Sequence, residues 1–343
     1  LAFRSLQDKL SSLPSLDEIA SGDFCESVKG IDVASLVGRS NLDAPEKRHV
    51  LDWLADLDVK LRLAAETAMK IQEKLNWASL RADAYVGEMD FGFLYDVESG
   101  LFHIGYNGTS EVLDKAHYDF FASEANGISL LAIAKRQVPL KHWSYLARRL
   151  VKTPEGGVTL SWGGSLFEQL TTLLFFNVHP KSFMGVMAAR AIAIHRRYAG
   201  RFSIPWGMGE SASAVFDSED NYQYQIYGVP NIGIRRDLQY HLVVSPYTTA
   251  LALPYGPSSA VANLRFLARE GVCGRYGFYD ACDYTDRRIK RNLPGRVAKI
   301  YYAHHQGFVL AAIFNLLTDG KLRSFFSADP RIASVTELLD EHL

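Results

Sequence analysis

Apolar residues recur at helical spacing along most of this 343-residue chain. Between Glu46 and Leu80 they fall at Val50, Leu51, Leu54, Leu57, Leu61, Ala64, Ala68, Ile71 and Leu75, one face of an α-helix. The pattern predicts one long amphipathic helix or two joined ones. The same periodicity predicts helices around 117–136, 140–151, 164–177, 181–199, 246–253, 257–270, 297–318 and 330–342. Only Phe91–Asp96 (FGFLYD) and Leu101–Tyr106 (LFHIGY) read firmly as strands, and Val97-Glu98-Ser99-Gly100 between them reads as a hairpin turn. The expected fold is an all-α domain with a small β-hairpin.

With 48% hydrophobic residues the chain is long enough for one large core. A net charge of −1 lacks the clustered basic excess of a nucleic-acid surface, so no nucleic-acid partner is expected. The dense basic run Arg287, Arg288, Lys290 and Arg291 reads as a solvated loop. Three cysteines, Cys25, Cys273 and Cys282, give an odd number without metal spacing and favour a reducing, cytoplasmic setting. There is no apolar run of membrane-spanning length, and LAFRSLQDKL has no signal-peptide core, so no direct membrane insertion is expected. A first residue other than Met is consistent with a piece of a longer, membrane-tethered protein.

The helices are joined by loops rich in Gly, aromatic and amide residues: SWGG (161–164), IPWGMGES (204–211), NYQYQIYGVP (221–230), GRYGFYDACDYT (274–285) and AHHQGF (303–308). Aromatic rings stack on the C–H faces of sugars, while amides and carboxylates match hydroxyls, so this composition suits a carbohydrate cleft. Trp162, Trp206, Tyr222, Gln223, Tyr224, Tyr276, His305 and Gln306 are its expected lining. Trp206 is expected closest to the chemistry because it precedes Glu210 by four positions.

Two glutamates stand out: Glu124 in YDFFASEAN and Glu210 in PWGMGESAS, neither with a Lys or Arg close in sequence. Cleaving an acetal needs one carboxyl group to protonate the leaving oxygen and a second to meet the developing positive carbon. Glu168, Asp96, Asp119, Asp280 and Asp283 are further acids, each open to either a substrate contact or a capping role. His304 and His305 have no evident third ligand, so no metal and no cofactor is expected; a sugar contact from one and packing by the other is the simpler reading.

The segments MDFGFLYD…LFHIGYN, YDFFASEA, AIAKRQVPLKHW, SWGGSLFEQL, PWGMGES, NYQYQIYGVP, VVSPYTTALAL, GRYGFYDACDYT, AHHQGF and ADPRIASVTELLDE, in that order, resemble the glucoamylase-like domain of cyclic β-1,2-glucan synthases, related to endo-β-1,2-glucanases. The resemblance covers roughly residues 85–343. It implies an (α/α)6 barrel over residues 81–343, with residues 1–80 as helices packed on it and the Phe91–Tyr106 hairpin near its mouth. It also implies a retaining transglycosylase that closes linear β-1,2-glucan into rings, within a larger multidomain synthase of the inner membrane.

By the same resemblance Glu124 is the general acid/base and Glu210 the nucleophile, 210 − 124 = 86 residues apart. Arg235 matches a basic position that fixes a carboxylate or a glucan hydroxyl. Departures from the family pattern fall at Gly209, Gln169, Asn231, Asp237 and Asp280, in loops expected to face substrate. Those loops decide whether water or a sugar hydroxyl accepts the glycosyl group, so a β-glycan hydrolase and a catalytically silent glucan-binding module remain as alternatives.

Overall fold

Residues Asp43 to Glu46 form a reciprocal cap: the Asp43 carboxylate accepts the Glu46 amide at 2.8 Å and the Glu46 carboxylate accepts the Asp43 amide at 3.0 Å. From this start a single helix runs from Ala44 to Glu88. Val50, Leu54, Leu57 and Leu61, three and four residues apart, pack on Leu6, Val28, Val33 and Val37 from the short helices that precede it. The computed structural model describes residues 2–342. In it this helical assembly belongs to one compact unit, Leu1–Met89, and the remainder, Asp90–Leu343, forms a second.

The second unit is built on helices Asn126–Ala134, Phe183–Gly200, Pro246–Leu251, Pro257–Arg269 and Ala303–Leu317. Its core holds Leu130, Leu166, Leu170, Ile194, Leu242, Leu251, Tyr227, Tyr247 and Tyr284. The chain as a whole is mostly helical. Strand is nonetheless more frequent than one hairpin. The expected hairpin pairs Tyr95–Asp96 with Leu101–His103, and His117–Tyr118 adds a third antiparallel strand. Glu210–Phe216 pairs with Tyr222–Ile226, and Val243–Val244, Ala281–Asp283 and Arg296–Ala298 form another three-stranded sheet.

These pairings account for the helices that start late. The span expected helical from 117 becomes helix only at Asn126, because Phe121 N–H donates to Ala147 C=O at 3.2 Å and Ala147 N–H to Asp119 C=O at 2.6 Å. The span expected from 297 begins at Ala303, since Arg296–Ala298 pairs with Ala281–Asp283. Half of the basic run is solvated as expected, Lys290 and Arg291 being exposed, but its first half is packed. Arg287 lies 4.8 Å over the Tyr284 ring and donates to Leu293 C=O, while Arg288 covers Phe202 and donates to the Tyr198 hydroxyl.

Candidate active site

The strand Glu210–Phe216, the turn before helix Asn126–Ala134 and the loop ending at Gly164 converge on a cleft of about 680 Å³. Tyr118, Asp119, Glu124, Arg149, Trp162, Glu210, Gln225 and Arg235 face it. Both glutamates singled out by sequence therefore open on one cavity. Burial raises the Glu210 carboxyl above the ordinary glutamate range, and the Glu124 charge adds to the rise. Two carboxyls in such an arrangement have the make-up that acetal cleavage requires.

Glu210 is held from behind. Its backbone C=O accepts the Tyr247 hydroxyl at 2.9 Å, and its carboxylate accepts the Tyr224 hydroxyl. That hydroxyl lies 3.4 Å from His305 Nε2, and His305 Nδ1 meets Asp280 Oδ1 at 2.5 Å. The other Asp280 oxygen accepts the Ala212 amide at 2.7 Å, two residues beyond Glu210 on the same strand. The His305 ring stacks on Tyr247 with centroids 3.8 Å apart. A chain Asp280–His305–Tyr224 thus ends on Glu210, fixing the imidazole and the phenol as an outer layer fixes a ligand. Gly209 is required here: a Cβ would come within 2.7 Å of the Tyr247 hydroxyl.

Glu168 has a different fate. It is 6% exposed, and its carboxylate accepts the hydroxyls of Ser161 (2.9 Å) and Ser165 (2.7 Å) and the amides of Gly163 and Ser165. Burial pushes its pKa up, and these hydrogen bonds oppose the rise. The side chain ties the Ser161–Ser165 turn to the helix Leu166–Leu170 and presents Trp162 to the cleft. Gly164, at φ +59°, lies where a Cβ would strike Val229 C=O at 2.5 Å.

The other sequence-predicted residues divide three ways. Asp119, Trp162 (56% exposed) and Arg235 line the cleft, the Arg235 guanidinium being held by Asp237 at 2.6 Å and Gln225 at 2.7 Å. Asp280 and His305 are 2% exposed and lie behind Glu210 rather than on the open surface, with Tyr224 between His305 and Glu210 and His304 Nε2 3.3 Å from the Tyr224 hydroxyl. The rest lie elsewhere. Trp206 is buried at 8% exposure and borders a separate depression with Pro205, Asn263 and Phe266. The chain reverses at Gly207, φ +107°, so a four-residue spacing does not carry the ring toward Glu210. Asp283 is buried and accepts the Thr285 amide; Gln306 donates to Phe278 C=O; Tyr276 is exposed beside Tyr301. Tyr222 stacks near Phe216, Gln223 is exposed, and Asp96 caps the hairpin turn through the amides of Glu98 and Ser99.

Sequence reading missed Arg149, Gln225 and Tyr247. Gln225 could have been found, because YQYQI alternates as a strand does and its neighbours point to opposite faces. Arg149 could not be told from Arg148, whose guanidinium turns inward to Glu341 and the Phe121 ring.

Residues 116–330 match the family described as "Putative glucoamylase". The chain is 36% identical over 315 residues to the cyclic β-(1,2)-glucan synthase NdvB of Rhizobium meliloti (strain 1021), an alignment covering 92% of this chain and 11% of that protein. Its fold is similar to that of an endo-β-1,2-glucanase from Chitinophaga pinensis, solved with sophorotriose and glucose: TM-score 0.54, 17% identity, 76% of this chain and 64% of that one. The chain therefore spans about a tenth of NdvB and under two thirds of the glucanase. With the family match extending over more than half its length, the chain belongs to the glucoamylase-like family.

Proposed function

We propose that this chain is a retaining transglycosylase on β-1,2-glucan. The observation that carries the reading is the opening of Glu124 and Glu210 on one cleft, with Glu210 clamped by the Tyr224 hydroxyl. In the first step the Glu210 carboxylate attacks the anomeric carbon while Glu124, as the acid, gives its proton to the departing glycosidic oxygen. A glycosyl ester on Glu210 results. In the second step Glu124, now a carboxylate, takes the proton of an incoming hydroxyl, whose oxygen displaces Glu210 with a second inversion. If that hydroxyl is the 2-OH at the far end of the same glucan, a ring closes; if it is water, the product is a shorter chain.

The likeness to an endo-β-1,2-glucanase supports the hydrolytic outcome as a second reading. Arg149, Arg235 and Trp162, on the open side of the cleft, are the residues proposed to hold the glucan. The supporting fold for residues 81–343 is read as an (α/α)6 barrel, and a far-ultraviolet spectrum dominated by strand would remove that reading. The match to a small part of NdvB supports a place within a larger synthase at the inner membrane. Among the described residues no helix is long and apolar enough to cross a membrane, so anchoring would come from other parts of such a synthase.

Incubation with linear β-1,2-glucan, separation of the products and NMR of the newly formed anomers test the proposal. Rings of retained configuration are expected. Short linear products of retained configuration would favour the hydrolase, inverted products would reassign Glu210 to activation of water, and unchanged glucan would sink both.

A further inference from the structure

The three-stranded sheet Tyr95–Asp96, Leu101–His103 and His117–Tyr118 gathers a second group of polar side chains apart from the two glutamates. His103 and His117 are paired across neighbouring strands, and Asp96 pairs with Leu101, two positions before His103. Residues two apart on a strand share a face, so all three side chains rise from the same side of the sheet. One possible ligand atom from each lies within 4.8 Å of the other two.

Hydrogen bonds orient two of the three side chains. His103 Nδ1 faces the Asp114 carbonyl at 2.6 Å, which places the proton on Nδ1 and leaves Nε2 as a bare nitrogen. The amides of Glu98 and Ser99 bind the Asp96 carboxylate at 3.0 and 3.3 Å and orient it. His117 Nε2 is shielded from solvent and lies 3.1 Å from Asp96 Oδ2, yet without the geometry of a hydrogen bond. A ring nitrogen and a carboxylate oxygen at this separation share a positive charge between them, either a proton on the imidazole or a bound cation. An N···O separation of about 3.3 Å is the edge of a tetrahedron with metal–ligand bonds of about 2.0–2.1 Å.

We propose that Asp96, His103 and His117 form a binding site for a divalent cation of the zinc class, with the remaining coordination position filled by water. Two imidazoles and one carboxylate are a borderline-soft set that suits zinc and its neighbours and disfavours magnesium and calcium, which prefer oxygen-only shells. The cation would bind all three strands of the sheet together. Since His117 lines the cleft seven residues before Glu124, it would also stiffen that wall of the cavity. The inference does not depend on which glycosyl acceptor the cleft uses.

Metal-stripped protein is titrated with Co²⁺, whose visible absorption reports nitrogen and oxygen ligands, and with Zn²⁺ by calorimetry. One equivalent of Co²⁺ per chain is expected to bind, and Zn²⁺ but not excess Mg²⁺ should displace it. His103→Gln and Asp96→Asn should each weaken binding by at least about 100-fold, while His304→Gln should leave it unchanged. Melting curves in chelator, alike for parent and variants, establish that the variants fold, and added Zn²⁺ should then raise the melting temperature of the parent alone. Absence of a stoichiometric cobalt spectrum would overturn the site and leave a plain His117–Asp96 ion pair. Binding that survives the His103 and Asp96 variants, or that is lost in His304→Gln, would also overturn it.

Discussion

Glu168 and Glu210 are both withdrawn from water, and the difference in their partners separates a glutamate that builds from one that is free to react. Glu168 lines the cleft as well, but its Oε2 receives the Ser161 and Ser165 hydroxyls and the Ser165 amide, and its Oε1 the Gly163 amide. Glu210 is half-buried and its carboxylate takes the Tyr224 hydroxyl, while its backbone and strand are what Tyr247 and Asp280 hold. Four donors on one carboxylate tie a turn together; a single phenol on the other leaves more of it open to the cleft.

The sharpest break of this comparison removes the two carboxylates in turn. Glu210→Gln should abolish turnover of β-1,2-glucan, because no carboxylate remains to form the glycosyl ester, while its melting temperature stays at or above the parent's. Assay and calorimetry of the same preparation check both halves. Glu168→Ala should show the converse weighting. It strands the Ser161 and Ser165 hydroxyls and the Gly163 amide in the interior and should cost roughly 3–5 kcal/mol of stability, read from urea midpoints. Equal midpoints for Glu168→Ala and parent would contradict the structural assignment.

The Glu168 region carries a pH dependence of its own. His195 is wholly buried, its Nε2 3.1 Å from the Gly164 carbonyl and its Nδ1 accepting the Met208 amide, and burial pushes its pKa down to about 3. Between the ordinary histidine value near 6.5 and about 3, the unfolded chain binds a proton that the folded one refuses. Stability should therefore fall as pH drops through that window, by at most about 1.4 kcal/mol per pH unit. Urea midpoints from pH 7 to pH 4 should slope less in His195→Gln than in the parent; identical slopes would remove His195 from the account.

The smallest effect sharpens the Glu210 side. Tyr224→Phe deletes a hydrogen bond to the anionic carboxylate, so the Glu210 pKa should rise further and the acid limb of kcat/KM should move to higher pH. A loss of about 10-fold in kcat/KM at neutral pH is the expected scale for one hydrogen bond to a charged group. A uniform loss at every pH with an unmoved limb would show that the phenol only fills space.

The glutamates were legible from sequence because small and aromatic neighbours without compensating cations are a local signal. The long helix was legible for the same reason, through Val50, Leu54, Leu57 and Leu61. What escaped depends on distant partners. Nothing within GRYGFYDACDYT says that Asp280 turns inward to the Ala212 amide, and nothing within IPWGMGES says that Gly207 swings Trp206 into the core. Strands such as Arg296–Ala298 exist because a partner lies more than a dozen residues earlier, and a helical period imposed on them runs too far.

The chain Asp280–His305–Tyr224 has a consequence for the making of the molecule. Synthesis proceeds from the N-terminus, so Glu124 and Glu210 leave the ribosome before Asp280 and His305, which complete the support of Glu210. Until His305 has emerged, the strand bearing Glu210 can pair with Tyr222–Ile226 but lacks its imidazole support. The support behind Glu210 is thus completed only with the last helices, by the order of the gene. A nascent chain arrested before Ala303 would carry both carboxylates and still lack the imidazole that backs Glu210.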